Sequence, residues 1–160
     1  MFDFLSERFR NILVTGGGGF IGNNFIREVI QREDIKVFNI DKVSYCTDKL
    51  SLNEFEADYP DNYKFFKIDL ADLLKTKDAV NKVNPDLIIH FAAESHVDNS
   101  IKNPSDFIKS NITGTYNLLE ASREYWEGIQ VSKKNNFKFI HISTDEVFGS
   151  LGEKGQFSEV

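Results

Sequence analysis

The chain has 160 residues and a mass of 18.3 kDa, with 19 Lys and Arg against 25 Asp and Glu, a formal net charge of -6 and a pI near 5.1. A hydrophobic share of 41%, with 15 Phe, excludes a disordered or collagen-like chain, and the acidic balance argues against a nucleic acid or an anionic membrane as partner. Cys46 is the only cysteine, which excludes an internal disulfide framework and a thiolate-rich metal site; with no basic, apolar leader at the start and no apolar run longer than residues 87–93, a reduced cytoplasmic setting is expected.

Short apolar runs alternate with longer amphipathic ones. Asn11–Thr15 predicts a buried strand, and the glycines that follow lead into an apolar-periodic helix over 20–31. Residues 36–40 and 63–68 predict a second and a third strand, and 72–83 a helix that ends ahead of Pro85. Residues 86–92 predict a fourth strand. A long helix is expected over 104–127, with Asn103 at its cap, Pro104 in its first turn and Gly128 at its end. Residues 137–142 predict a fifth strand. Strands that read as continuous apolar runs between helices predict a single α/β domain whose parallel sheet is covered on both faces. The segment through Gly152, Lys154 and Gly155 reads as a surface loop. No helix follows the fifth strand, so the domain is expected to be cut in mid-architecture.

Gly16, Gly19 and Gly22 stand at G-x-x-G-x-x-G spacing between the first strand and the first helix. Such glycines allow a tight turn and let a pyrophosphate approach backbone N–H groups at a helix N-terminus. A turn without a ligand is the plainer account of the glycines alone. The context adds Asp41 at the end of the second strand, where a carboxylate accepts hydrogen bonds from a ribose 2′-hydroxyl and repels a 2′-phosphate. Dinucleotide binding is therefore expected, with NAD favoured over NADP, although the neighbouring Lys42 speaks for the phosphate. A P-loop is excluded because no Gly-Lys-Ser/Thr follows. Asp69, at the end of the third strand, is expected either to cap the next helix or to contact adenine.

After the fourth strand comes His90-Phe91-Ala92-Ala93-Glu94-Ser95-His96-Val97-Asp98. Small Ala92 and Ala93 let a flat ligand lie against the backbone. The His, Glu and Asp residues of this run match no metal-ligand spacing, so no metal is expected. After the fifth strand, Ser143-x-x-Glu146 fits a capping box. The same segment also places Thr144, Asp145 and Glu146 at the sheet's carboxyl edge, where one carboxyl could act as acid and its neighbour as base if burial and repulsion separated them. The long helix carries Phe107, Ile108, Ile112, Tyr116, Leu119, Tyr125 and Trp126, which suit a core stripe or a face toward a second subunit.

Together these motifs resemble the extended short-chain dehydrogenase/reductase family, and within it the sugar-nucleotide 4,6-dehydratases that act on dTDP-glucose. The resemblance runs from residue 11 to about residue 151. It rests on Thr15-Gly16-Gly17-Gly18-Gly19-Phe20-Ile21-Gly22, Asn39-Ile40-Asp41-Lys42, the His90–Asp98 run, Asn111-Ile112-Thr113-Gly114-Thr115 and His141-Ile142-Ser143-Thr144-Asp145-Glu146-Val147. It implies a Rossmann-type doubly wound parallel sheet, truncated after the fifth strand. It also implies that residues 1–160 form the N-terminal NAD-binding domain, with the C-terminal substrate domain outside this chain.

The resemblance implies roles as well. Phe20 and Ile21 lie by the pyrophosphate, Asp41, Lys42, Val43 and Ser44 around the adenosine ribose, and Asp69 and Leu70 by the adenine. Phe91, Ala92, Ala93, Glu94 and Ser95 line the cofactor cleft with Ser110 beside it, while Ser95 and Thr144 also contact the sugar. Glu146 is implied as the base that removes the C5 proton and Asp145 as the acid for the leaving C6 hydroxyl, giving a 4-keto-6-deoxy sugar nucleotide by loss of water. The implied partners are a nucleotide sugar and, for a longer protein, a second copy paired through the 104–127 helix.

Phe148 stands where Tyr is usual, Asn99 where Arg is usual, and Cys46-Thr47-Asp48 where Ala-Gly-Asn is common. The family's Tyr-x-x-x-Lys pair, which drives C4 oxidation, is expected downstream of this chain, so the chain is expected to bind NAD without turnover. A stand-alone NAD-binding module and a sister epimerase or decarboxylase are the other readings; the Asp145-Glu146 pair speaks against the second.

Overall fold

The computed structural model describes residues 3–152 and 154–158. The two extremities of the expected 1–160 domain lie outside the described residues. Five strands, Asn11–Thr15 (β1), Lys36–Asp41 (β2), Tyr63–Lys67 (β3), Leu87–His90 (β4) and Lys138–His141 (β5), form one sheet in the order β3-β2-β1-β4-β5. Every pairing is parallel, with Leu13 opposite Phe38 and Ile88 across β1's two edges. The helices are Asp3–Arg8 (α1), Phe20–Val29 (α2), Lys49–Asp58 (α3), Leu73–Val83 (α4), Val97–Lys102 (α5), Pro104–Phe107 (α6), Thr115–Gly128 (α7) and Val131–Asn136 (α8).

Alternation along β1 divides two cores. Ile12 and Val14 face Ile26, Val29 and Phe55 of α2 and α3, while Leu13 faces Ala79, Val80, Leu118 and Ala121 of α4 and α7. Each of these side chains is buried, and the Ile, Leu, Val and Phe among them contribute about 1.5–3 kcal/mol each of transfer free energy. Helices on both faces of a parallel sheet make the doubly wound arrangement that the apolar strands predict. The prediction fails at β5. Phe137 and Phe139 pack on the α4–α7 side, but on the other face Ile140 is 44% and Ile142 41% exposed.

Four helices escape the sequence reading. α3 has little apolar periodicity and buries only Ser51, Leu52 and Phe55; its start is set by Asp48, whose carboxylate accepts from the N–H groups of Leu50 and Ser51. α1, α5 and α8 are six residues each, too short to show a period. The long helix is present but not uniform: between α6 and α7 the backbone widens into a π-helix, Ile108–Gly114. A Cβ at Gly114 would sit 3.2 Å from that of Leu70. Asn103 takes the cap position, yet its side chain bonds Ser105 and Asp106 side chains rather than the helix backbone.

Candidate functional site

The strand order reverses between β1 and β4, and a crevice opens there at the carboxyl ends of β1, β2, β3 and β4, the place where α/β sheets bind ligands. Gly16 begins its floor with φ of +71°, and a Cβ there would lie 2.6 Å from the backbone of Ala92. A Cβ at Gly22 would lie 2.5 Å from the carbonyl oxygen of Gly16. Packing alone therefore requires both glycines. Gly19 differs, since its missing side chain leaves the crevice wall clear apart from Gly16 O at 3.3 Å. Gly19 is also the cap of α2, and among the described residues no side chain caps that helix. Its first-turn N–H groups are left for an anion. Phe20 and Ile21 occupy this turn with exposed side chains and do not line the crevice; nor does Gly22.

β2 supplies the opposite wall. Asp41 accepts from the N–H of Gly18 at 3.0 Å, from that of Val43 at 2.7 Å and from the Thr47 hydroxyl at 3.3 Å. A carboxylate offers about four acceptor positions. Asp41 therefore keeps capacity for one more donor, such as a ribose hydroxyl, so the residues present fit a dinucleotide. Val43, expected beside the ribose, has φ of 61°, donates its N–H to Asp41 and does not line the crevice. Ser44 lines the crevice, as do Cys46 and Thr47, which stand out in the sequence only as a departure from the family pattern. A buried amide supports the turn from below: Asn39 Oδ1 accepts from Gly17 N–H at 3.0 Å, and its Nδ2 donates to the Tyr63 hydroxyl. Burial pushes the Tyr63 phenol well above its usual value.

Asp69 and Leu70 line the crevice at the end of β3. Asp69 does not cap the next helix. Its carboxylate accepts from Ala71 N–H at 2.9 Å, and the cap is Asp72, which accepts from Lys75 N–H.

β4 brings Phe91, Ala92, Ala93 and Glu94 to the same crevice, with Ser110 reaching it from the π-helix. His90 lies fully buried below them. Its Nδ1 is 2.6 Å from the Thr15 hydroxyl and its Nε2 2.9 Å from that of Thr115. Burial, and secondarily the nearby His141, depress its pKa to about 4, so the ring is neutral near pH 7. The Glu94 carboxylate meets the Lys42 ammonium at 2.6 Å, joining the β4 wall to the β2 wall. Ser95 lies outside the lining residues.

The segment after β5 is separate from these walls. Thr144, not Ser143, caps a short 3-10 turn over Asp145–Phe148 and accepts from Glu146 N–H at 3.3 Å, which corrects the expected capping box. Thr144, Asp145 and Glu146 are all exposed. Tyr45 and Lys49 do stand four residues apart, a spacing that the sequence reading passed over. Tyr45 precedes α3 and Lys49 opens it, so they are not neighbours on consecutive helical turns, and the Tyr45 hydroxyl takes a hydrogen bond from Asn99 at 2.8 Å.

Residues 13–160 match the family model described as GDP-mannose 4,6 dehydratase. A dTDP-glucose 4,6-dehydratase of Haemophilus influenzae is 48% identical over 141 residues, covering 88% of this chain and 41% of that protein. The crystal structure of a dTDP-glucose 4,6-dehydratase from Bacillus anthracis in complex with NAD superposes with a TM-score of 0.75 at 35% identity, covering 94% of this chain and 42% of that one. A UDP-glucose 4-epimerase from Thermus thermophilus in complex with NAD gives a TM-score of 0.74 at 28% identity, over 92% and 42% of the two chains. The chain spans about two fifths of the length of these relatives.

Proposed function

The chain belongs to the GDP-mannose 4,6-dehydratase family, and on that footing we propose that it is the NAD-binding part of a sugar-nucleotide 4,6-dehydratase whose substrate is dTDP-glucose. The observation that carries the reading is the crevice itself: an uncapped helix N-terminus behind a glycine turn, faced by Asp41 with an acceptor position to spare. NAD supplies, when bound, a hydride acceptor and donor. The chain's own residues do the rest. The first-turn amides of α2 hold a pyrophosphate, Asp41 accepts from a ribose hydroxyl, and Ala92 and Ala93 let a flat ring lie close.

In the complete reaction Glu146 takes the C5 proton, which a C4 ketone acidifies, and Asp145 gives a proton to the departing C6 hydroxyl. Thr144 and Ser95 orient the sugar. The exposure of Thr144, Asp145 and Glu146 favours a second reading for the 160 residues by themselves, that they bind NAD without turnover. An epimerase or decarboxylase is disfavoured because neither chemistry needs a paired acid and base to expel water.

The apolar residues Ile108, Ile112, Tyr116, Leu119 and Trp126 lie exposed along one helical face, and we assign this face to a homodimer contact. No helix among the described residues is long and apolar enough to cross a membrane, and the lone free Cys46 suits a reducing cytoplasm.

The test has two stages. Titration of the chain with NAD is expected to show saturable binding, and absence of binding overturns the assignment. A longer protein carrying this sequence is then expected to convert dTDP-glucose to its 4-keto-6-deoxy product. An Asp145→Asn, Glu146→Gln double variant of it should lose that turnover; normal turnover would remove both residues from the mechanism.

A further inference from the structure

The crevice poses a selectivity problem that Asp41 does not solve by itself. Of the described residues that line it, Lys42 is the one cation, beside Asp41, Asp69 and Glu94. Lys42 directly follows Asp41, so a free ammonium there would attract a ribose 2′-phosphate about as strongly as the adjacent carboxylate repels it. The structure does not leave that ammonium free. Nζ sits 2.6 Å from Glu94 Oε1, and the Glu94 side chain is only 9% exposed. Burial opposes the charge of Lys42, but the hydrogen bond and charge of Glu94, with Asp69 and Asp106 beyond, outweigh it and raise its pKa. Lys42 is thus a cation whose charge is already matched.

Two further observations fix the pair in place. The Glu94 backbone is held at both its N–H and its carbonyl by the side chain of Asn111. Lys42, Ser44 and Glu94 also line a second cavity on their far side, together with Asn99, Lys102 and Asp106, so the ion pair forms part of the wall between two spaces. The Lys42 side chain thus reaches from the end of β2 to the loop after β4.

We propose that Glu94, on the loop after β4, sets the dinucleotide preference of the crevice by holding Lys42, so that the site takes NAD and turns away the 2′-phosphorylated NADP. This inference rests on the dinucleotide reading above and adds to it a residue remote from the ribose end of β2. Asp41 repels the phosphate; Glu94 withholds the cation that would offset that repulsion. Both are needed for a clean preference, because specificity is a difference of two affinities.

The experiment is calorimetric titration of the chain with NAD and with NADP, comparing the ratio of the two dissociation constants in the wild type, Glu94→Gln, Lys42→Met and the double variant. Glu94→Gln is expected to shift the ratio roughly tenfold toward NADP, equivalent to about 1.4 kcal/mol. Adding Lys42→Met is expected to abolish that gain. Lys42→Met alone, which leaves Glu94 bare, is expected to shift the ratio away from NADP. An unchanged ratio in Glu94→Gln with NAD binding intact overturns the proposal. If circular dichroism shows that Glu94→Gln does not fold, Lys42→Met decides, and an unchanged ratio or a shift toward NADP overturns it. A wild type that binds neither dinucleotide overturns the dinucleotide reading, and this inference falls with it.

Discussion

Asn111 and Glu94 are paired through two hydrogen bonds, the Asn111 side-chain oxygen accepting from Glu94 N–H at 2.8 Å and its Nδ2 donating to the Glu94 carbonyl at 2.9 Å. One side-chain amide thereby plays the part of a neighbouring strand for a loop that has left the sheet. The π-helical widening carries Asn111, and such turns cluster at functional sites. Asn111→Ala strands both backbone groups of Glu94 and is expected to destabilise the fold by about 1–3 kcal/mol. NAD affinity is expected to fall at least as steeply as stability, because the freed loop is a wall of the crevice. Calorimetric titration together with urea unfolding separates the two effects, and unchanged affinity would show that the loop holds itself.

Gly16 admits no side chain. With φ of +71° and a Cβ position 2.6 Å from Ala92, Gly16→Ala combines backbone strain with a clash against main chain that cannot turn aside. A loss of about 2–4 kcal/mol is expected, read as a lower urea midpoint. A loss below about 1 kcal/mol would mean that β1 and β4 can separate at this point.

His90 makes stability depend on pH in a particular window. The unfolded imidazole takes up a proton below about pH 6.5, whereas the folded one does so only near pH 4. Between these values the unfolded state carries the extra proton. The contribution of His90 is therefore complete above pH 6.5 and is lost as the pH falls toward 4, amounting to at most about 3 kcal/mol. His90→Gln keeps the possibility of bonding Thr15 and Thr115 but cannot titrate. Urea unfolding between pH 7.5 and 4.5 is expected to show a shallower decline in this variant than in the wild type. Parallel declines would remove His90 as the cause.

Val43 sits in the left-handed region with a β-branched side chain, at a cost of about 1–2 kcal/mol. Asn tolerates that conformation better and keeps the N–H that Asp41 accepts from. Val43→Asn is expected to raise stability by about 1 kcal/mol, seen as a higher urea midpoint with an unchanged slope. A lower midpoint would mean that the valine side chain contributes more by packing than its backbone costs.

The outward face of β5 presents Ile140 and Ile142 to solvent beside an unpaired edge among the described residues. Such a surface promotes self-association. Sedimentation at increasing concentration is expected to show a mass rising beyond that of a dimer, and Ile140→Lys is expected to suppress the part above the dimer. If the mass rises equally in that variant, the association surface lies elsewhere, with the Ile108–Trp126 helical face the first alternative.

The glycine turn, Asp41 and all five strands are legible in the sequence because each rests on a local pattern: a fixed glycine spacing, a carboxylate at a strand end, an uninterrupted apolar run. The support behind them is not. Asn39, Asn111 and Thr15 reach the site only through partners 17 to 75 residues away, and a single polar residue in a strand or helix carries no spacing signal. α3 is hidden for a related reason, since a helix that buries three residues needs no strong periodicity. The Thr144–Glu146 segment shows the converse. Its residue types are conspicuous in the sequence, yet the fold of the described residues does not bury them.

Because β1 is the central strand and its partners β2 and β4 arrive from opposite sides, the pairing of Ile12 with Leu87 must close a loop of 75 residues before the crevice has a second wall. Parallel pairings of this kind are slow to form, since the entropy of loop closure is lost before the contacts that offset it are made. A chain paused after β3 holds Asp41 and the glycine turn but no place for a ligand to lie. Ligand binding in a refolding experiment therefore reports the arrival of β4 and its loop, and so marks the late assembly of the sheet rather than its nucleation.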